Sequence, residues 1–309
     1  MSRAVRFLKM GLKRRLPPEL WHRLVRVKGW VVNISSTSLV SVISSFLKLL
    51  PVPLRIALRN EMGVIRKLDY ERHAIYLHVD SRVEYQVRIN SGQREPETIA
   101  WIDNSAREGD VLFDIGANVG AYALVAAKSA NGKIKVYAFE PAFPTFHQLS
   151  RNILLNCCYA NVIPLQVALS DTTRLDWFNY SNLSPGKALH SFGSNVDQKG
   201  QTFEPILKAS VLGFRLDDLV RYFGIEVPNL VKLDVDGAEL SILRGATQTL
   251  ADRALRTISV EMEEDSSKKL EIVELLNENG FEQTTKHRYV HGRVSGRFSK
   301  FNNCIFVRT

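Results

Sequence analysis

VLFDIGANVGAY, residues 111–122, decides the architecture. Val111–Ile115 is a short run, apolar but for Asp114, bounded by glycine, which reads as a buried strand. Val119–Ala130 follows as an Ala-rich helix. The turn between them carries Gly116, Asn118 and Gly120. Gly116 has no side chain, so backbone can approach a ligand closely there. Gly120 lets the new helix pack tightly on the sheet. The first turn of the helix offers unpaired N–H groups and the positive end of its dipole, a good seat for a carboxylate. Asp114 at the end of the strand can pair with an ammonium group. The unit predicts a ligand that carries both charges.

The pattern continues outward in both directions. Glu97–Ala106 reads as a helix after Pro96. Ile134–Phe139 and Val162–Val167 read as strands around a helix at Phe143–Cys157. Leu230–Val235 and Leu255–Met262 are strands around a helix at Ala238–Leu250. Ser267–Asn279 is a helix ended by Gly280, and Asn303–Val307 is a last strand. Alternating strands and helices predict an α/β fold with a mainly parallel sheet and helices on both faces. Glu140 ends the second strand, twenty residues beyond Gly120, where an acid commonly accepts from two ribose hydroxyls. Ala168–Asp171 (ALSD) follows the third strand at the ligand-binding edge, and Asp171 is placed to reach an adenine amino group. GANVG is not the GxGxxG of dinucleotide sites. Ammonium, carboxylate, ribose and adenine together describe S-adenosylmethionine. Asn118, Pro141 and Ala168 lie in the same loops and are read as cofactor-binding with Asp114, Gly116, Gly120, Glu140 and Asp171.

The acceptor side is read from three places. KLDVDGAE puts Asp234 at the end of the fourth strand, Asp236 in the turn and Glu239 at the next helix start. Glu239 also has the ordinary role of an acid at a helix N-terminus. Lys232 alternates with Asp234, so both point to one face and an ion pair is the plain structural alternative. Glu261 ends the fifth strand. Asp234, Asp236 and Glu261 across neighbouring strand ends suit sugar hydroxyls or a hard cation such as Mg²⁺; the hydroxyl reading is taken, with a divalent metal as second option. His190 lies in an insertion, residues 171–210, where the strand–helix rhythm breaks. It titrates near neutrality and is a candidate general base. Such long insertions often shape substrate sites.

These pieces resemble the FkbM family of methyltransferases. The resemblance is carried by VLFDIGANVGAY (111–122), AFEP (138–141), ALSD (168–171), VKLDVDGAELSILRGA (231–246) and SVEME (259–263), all in family order. It implies a class I methyltransferase (Rossmann-like) fold with a seven-stranded sheet whose final strand is antiparallel. It also implies S-adenosylmethionine as cofactor and O-methylation of sugars or related natural products. The family often has Glu where this chain has Asp236, a shorter acid with a shorter reach.

The remaining sequence is different in kind. Residues 1–60 carry twelve Lys and Arg against one acid, Glu19, a net charge of +11 that leaves residues 61–309 at −2. Two amphipathic helices are expected there. One has Leu20, Trp21, Leu24 and Val25 on a face; the other has Leu39, Ile43, Phe46 and Leu50, and ends at Pro51 and Pro53. This basic helical extension can dock on the enzyme core, the commoner fate, or touch a membrane surface peripherally. Residues 61–95 are a lead-in with a β-hairpin of 74–79 and 83–89, and residues 96–309 are the catalytic domain. No signal peptide or transmembrane helix is expected. Of three cysteines, Cys157 and Cys158 are adjacent and no CxxC occurs, which reads as a reducing compartment. The expected setting is the cytoplasm, with a hydroxylated small molecule or glycan as substrate. A nucleic-acid methyltransferase recruited by the basic arm is a weaker alternative, because the catalytic part lacks both a basic surface charge and a D/N-PP-Y/F motif. A non-enzymatic membrane-surface protein is weaker still, given intact Asp114, Gly116, Gly120 and Glu140.

Overall fold

The computed structural model describes residues 36–196, 201–263, 267–288 and 301–309. The chain divides into two compact units, Met1–Gly63 and Val64–Thr309. In the first, helix α1 spans Ser36–Lys48 and α2 spans Val52–Glu61. Helix α1 ends at Lys48, ahead of the two prolines expected to stop it, and the same prolines begin α2. Pro51 is the N-cap of α2 and Pro53 lies in its first turn, where a missing N–H costs nothing. The helix expected around residues 20–25 lies outside the described residues.

The second unit opens with a small antiparallel pair, β1 (Ile65–Lys67) and β2 (Tyr76–His78). The hairpin is therefore not the one expected. Residues 83–89 are helical: α3 covers Arg82–Gln86 and a 3-10 turn covers Arg88–Asn90. Ser81 caps α3 by accepting from the Glu84 N–H, so a local capping bond overrides the alternating pattern. Then come α4 (Ser91–Arg94), α5 (Pro96–Ser105), β3 (Val111–Ile115), α6 (Ala121–Lys128), β4 (Lys135–Phe139), α7 (Phe143–Leu155) and β5 (Val162–Leu165). After an inserted sheet, β6 (Ala168–Leu169), β7 (Arg174–Tyr180), β8 (Ser191–Phe192) and β9 (Leu207–Phe214), the chain runs through α8 (Leu216–Phe223) and β10 (Leu230–Leu233). It ends with α9 (Glu239–Arg244), α10 (Thr247–Ala251), β11 (Thr257–Glu263), α11 (Ser267–Glu278), β12 (Phe281–Arg288) and β13 (Phe301–Arg308).

The main sheet has seven strands in the order β5-β4-β3-β10-β11-β13-β12. Neighbours from β5 to β11 are parallel, and β13 is antiparallel to both β11 and β12. This is the class I methyltransferase arrangement, with the chain reversing direction across the sheet at β3 and β10. Both faces are covered. Phe113 and Ile115 of β3 enter a core with Phe139, Leu233, Val260 and Leu243. Leu112 enters a second core on the other face with Val136, Leu124 and Leu149. Each large side chain so buried contributes about 1.5–3 kcal/mol.

Three details differ from the sequence pattern. The helix expected over 238–250 breaks into α9 and α10. At the break a Cβ on Gly245 would stand 2.2 Å from the Ser170 carbonyl oxygen, so the chain passes too close to β6 for any side chain. The stretch after Asp171 is not an open loop but a four-stranded sheet in the order β6-β9-β7-β8. The polar strand β12 gave no apolar period and was not placed.

Candidate functional site

The carboxyl ends of β3, β4 and β10 open into a cavity of about 240 Å³. One wall is built from the loops after β3 and β4: Gly116, Asn118, Glu140 and Pro141. Ala168, Leu169 and Ile242 add an apolar side. Further lining comes from the turn after β10, Asp234, Asp236 and Gly237, and from the inserted sheet, Phe178, His190 and Phe192.

Gly116 is required by geometry. Its φ is +83°, and an added Cβ would lie 1.8 Å from the Asp234 carbonyl oxygen. The close approach is between two strand ends, so this glycine is what lets the β3 and β10 loops form one wall. Gly120 is not on the cavity wall. It stands at φ +89°, and a Cβ there would meet Leu149 Cδ1 of α7 at 2.6 Å, so it serves helix–helix packing rather than helix–sheet packing. Glu140 is buried, with one oxygen accepting the Asn118 N–H at 3.0 Å and the other the Ala142 N–H at 2.8 Å. Burial pushes its carboxyl up to about 7 despite those bonds.

Asp114 lies behind the wall. It is fully buried and is not among the residues lining the cavity. Register places it directly beside Lys232, whose Nζ is 3.9 Å from one carboxylate oxygen and 2.8 Å from Asp234 Oδ2. The ammonium also sits 4.9 Å from the Tyr122 ring centroid. Burial alone would lower the lysine, but the charges of Asp234 and Asp114 outweigh it and hold the ammonium above its usual range. Burial likewise works to raise Asp234, and the Lys232 charge prevails and keeps it low. Glu261 hydrogen-bonds Asp234 from the neighbouring strand but does not line the cavity. Burial and the Asp234 charge drive its carboxyl far upward, so it holds a proton. Glu95, which no sequence signal marked, joins this group. It is buried, shifted upward by burial and by Asp234, and accepts from Thr98 and Asn303.

The structure thus brings Asp234, Asp236 and Glu261 within electrostatic reach of one another, and Asp236 lines the cavity with His190. Asp236 sits at φ 59°, its Oδ2 accepting the Leu189 N–H at 2.6 Å. Burial raises its carboxyl to about 6. His190 is packed against Phe178 and Tyr180, with ring centroids 5.8 and 5.4 Å away. Burial depresses its imidazole to about 4. Its Nδ1 accepts the Ser181 N–H at 3.2 Å, so the neutral ring carries its proton on Nε2. Asp171 points elsewhere: its carboxylate accepts from Thr172 and faces Arg174 at 3.8 Å. Among the described residues no group of three or more His, Cys, Asp or Glu side chains is arranged to hold a metal ion.

Residues 114–282 match the model of the methyltransferase FkbM domain, over half of the chain. The chain belongs to the FkbM methyltransferase family. Among curated relatives, the hexuronic acid methyltransferase AglP of Haloferax volcanii is 33% identical over 168 residues, which is 54% of this chain and 63% of AglP. The methyltransferase sdnD of Sordaria araneosa is 32% identical over 56% of this chain and 74% of its own. The 31-O-demethyl-FK506 methyltransferase FkbM of Streptomyces tacrolimicus is 28% identical, with 57% of this chain and 74% of that protein covered. The crystal structure of an FkbM methyltransferase from Methylobacillus flagellatus superposes with a TM-score of 0.46 at 13% identity, over 65% of this chain and 44% of that one. The FkbM match leaves the basic residues 1–60 outside it.

Proposed function

We propose that this FkbM-family chain is an S-adenosylmethionine-dependent O-methyltransferase acting on a hydroxyl of a sugar, glycan or related natural product. One observation carries the reading: a single cavity is lined by the β3 and β4 loops together with Asp236 and His190. Two relatives are named for a hexuronic acid and for a 31-O-demethyl substrate, which supports an oxygen acceptor.

The residues present fit the cofactor. The apolar side of Pro141, Ala168 and Leu169 suits a flat purine and its ribose. Each Glu140 oxygen has a lone pair beyond the one its N–H partner uses, free to accept from a ribose hydroxyl. Asn118 lines the same wall. Asp114 acts from behind it, through Lys232 and the charge on Asp234, rather than by touching the ligand. When bound, S-adenosylmethionine supplies a methyl group on a positively charged sulfur. Asp236 takes the proton that the acceptor hydroxyl loses as its oxygen becomes bonded to carbon. His190 donates from Nε2 and orients the acceptor, and alignment of this kind supplies much of the acceleration. Ionised Asp234 adds negative potential on the same wall. The expected setting is the cytoplasm.

Titration calorimetry with S-adenosylmethionine tests the cofactor half. Saturable binding that Glu140→Ala weakens is expected, and no binding by folded wild-type protein overturns the reading. Transfer of labelled methyl to a panel of hydroxylated sugars, scored by alkali-stable ether linkage, tests the oxygen half.

A further inference from the structure

Among the described residues, the helices α1 and α2 present exposed apolar side chains. Leu39, Ile43 and Phe46 fall on one face of α1, with Val42 and Leu49 beside them, and Phe46 and Leu49 are 72% and 80% exposed. Ser41, Ser44, Ser45 and Lys48 form the opposite face. No residue of α2 is buried, and Arg55 and Arg59 stand one turn apart on it. A helix of this length is marginal in water unless its apolar face is covered, and an exposed apolar run of this extent marks a contact surface.

We propose that residues 36–61 bind the surface of an anionic membrane, with α1 lying in the plane of the bilayer and its Leu39–Ile43–Phe46 face in the acyl boundary. Charge selects this occupant. There is no acid between Ser36 and Asn60, and residues 1–60 carry +11. A second copy on this face would set like charges together, whereas anionic headgroups attract each Lys and Arg by about 1 kcal/mol. Length sets the mode. Thirteen residues of helix reach about 20 Å, short of the ~30 Å hydrocarbon core, and no helix among the described residues is long and apolar enough to cross a membrane. Serines and a lysine on one face with Leu, Ile and Phe on the other is the composition of an interfacial helix. The surface would hold the methyltransferase unit beside membrane-associated acceptors without taking part in the chemistry.

Co-flotation of the full chain with vesicles tests this. Wild type is expected to float with phosphatidylcholine vesicles containing phosphatidylglycerol and far less with phosphatidylcholine alone. The double variant Ile43→Ser/Phe46→Ser is expected to lose about tenfold or more of the anionic-vesicle partition. Binding of S-adenosylmethionine is read on both proteins, so failure of the membrane proposal and failure of the methyltransferase reading register separately. The proposal is overturned if wild type stays with the unbound fraction, if the double variant floats as wild type does, or if wild type is an oligomer that the same substitutions dissolve.

Discussion

Asp236 and Leu189 are joined by a 2.6 Å hydrogen bond, and both stand at positive φ, 59° and 66°. Neither is glycine, and a residue held there costs of order 1–3 kcal/mol. Asn118, on the cavity wall at φ 51°, is another such residue, and its side chain donates to the Lys187 carbonyl at 3.2 Å. Two strained loop residues thus clamp the segment that ends in His190. The same carboxylate that faces the acceptor space sets where the imidazole stands.

Asp236 and His190 should separate by pH. With Asp236 at about 6, turnover is expected to rise through pH 6 and level off above it, since the base works unprotonated. Asp236→Asn can still accept from Leu189 and should lose about 10²–10⁴-fold in kcat, with the pH limb removed. His190→Phe should lower kcat and leave the limb in place. A limb that disappears with His190→Phe instead would make the imidazole the base.

Gly116 and Gly109 make a matched pair. Their φ values are +83° and +84°, yet a Cβ on Gly109 meets nothing within 4 Å and one on Gly116 meets the Asp234 carbonyl. Gly109→Ala is expected to cost about 1–2 kcal/mol, the backbone term alone. Gly116→Ala should cost about 3 kcal/mol or more and abolish cofactor binding. Denaturant unfolding of the two variants measures the difference, and equal losses would show that the close approach is unimportant.

Lys232 is the only cation within 4 Å of Asp114 and Asp234 among the described residues. Lys232→Met leaves the fully buried Asp114 and the cavity-lining Asp234 without their cation and is expected to destabilise by about 3–5 kcal/mol. Adding Asp114→Asn removes one of the stranded charges and should restore part of that loss. A double variant no more stable than the single one would place the effect in packing against Tyr122.

Stability without cofactor should fall as pH rises toward neutrality. Burial holds Glu140 and Glu239 up at about 7 and Asp114 and Asp236 at about 6, against roughly 4 in an unfolded chain. Between those values the folded state binds more protons, so the stabilisation is full below about pH 4 and is lost through pH 6–7. His190, held near 4, and His78, also lowered by burial, act in the opposite direction up to about pH 6.5, while Glu95 and Glu261, raised by burial, act with the four carboxyls. A higher Tm at pH 5.5 than at 7.5, with a slope flattened by Glu140→Gln, is the expected result; a flat profile in wild type contradicts it.

The parallel core was legible because it obeys one rule at a time. Val111–Ile115 is apolar on both faces and bounded by glycine, and its strand boundaries in the structure are those residues. Glu140 was legible by spacing. What escaped depended on a local cap or on partners distant in sequence. Residues 83–89 look alternating but are claimed by the Ser81 cap. Arg174–Tyr180 is a strand only because Leu207–Phe214 lies across from it. Glu95 sits in a polar stretch and gains meaning only from the folded neighbourhood of Asp234 and Tyr122. His190 was visible as a residue, but which nitrogen holds its proton follows from the Ser181 backbone alone.

The inserted sheet begins and ends in the same place. Ala168 and Leu169 pair in parallel with Gly213 and Phe214, so the chain leaves the core and returns to it side by side. Phe178, His190 and Phe192 all lie between these pairings, in a cassette that the core also holds through Asp236 to Leu189 and Asn118 to Lys187. Relatives can therefore exchange this cassette whole, altering what the cavity admits while the seven-stranded engine beneath keeps its registers. Grafting experiments between family members should cut at Leu169 and Gly213.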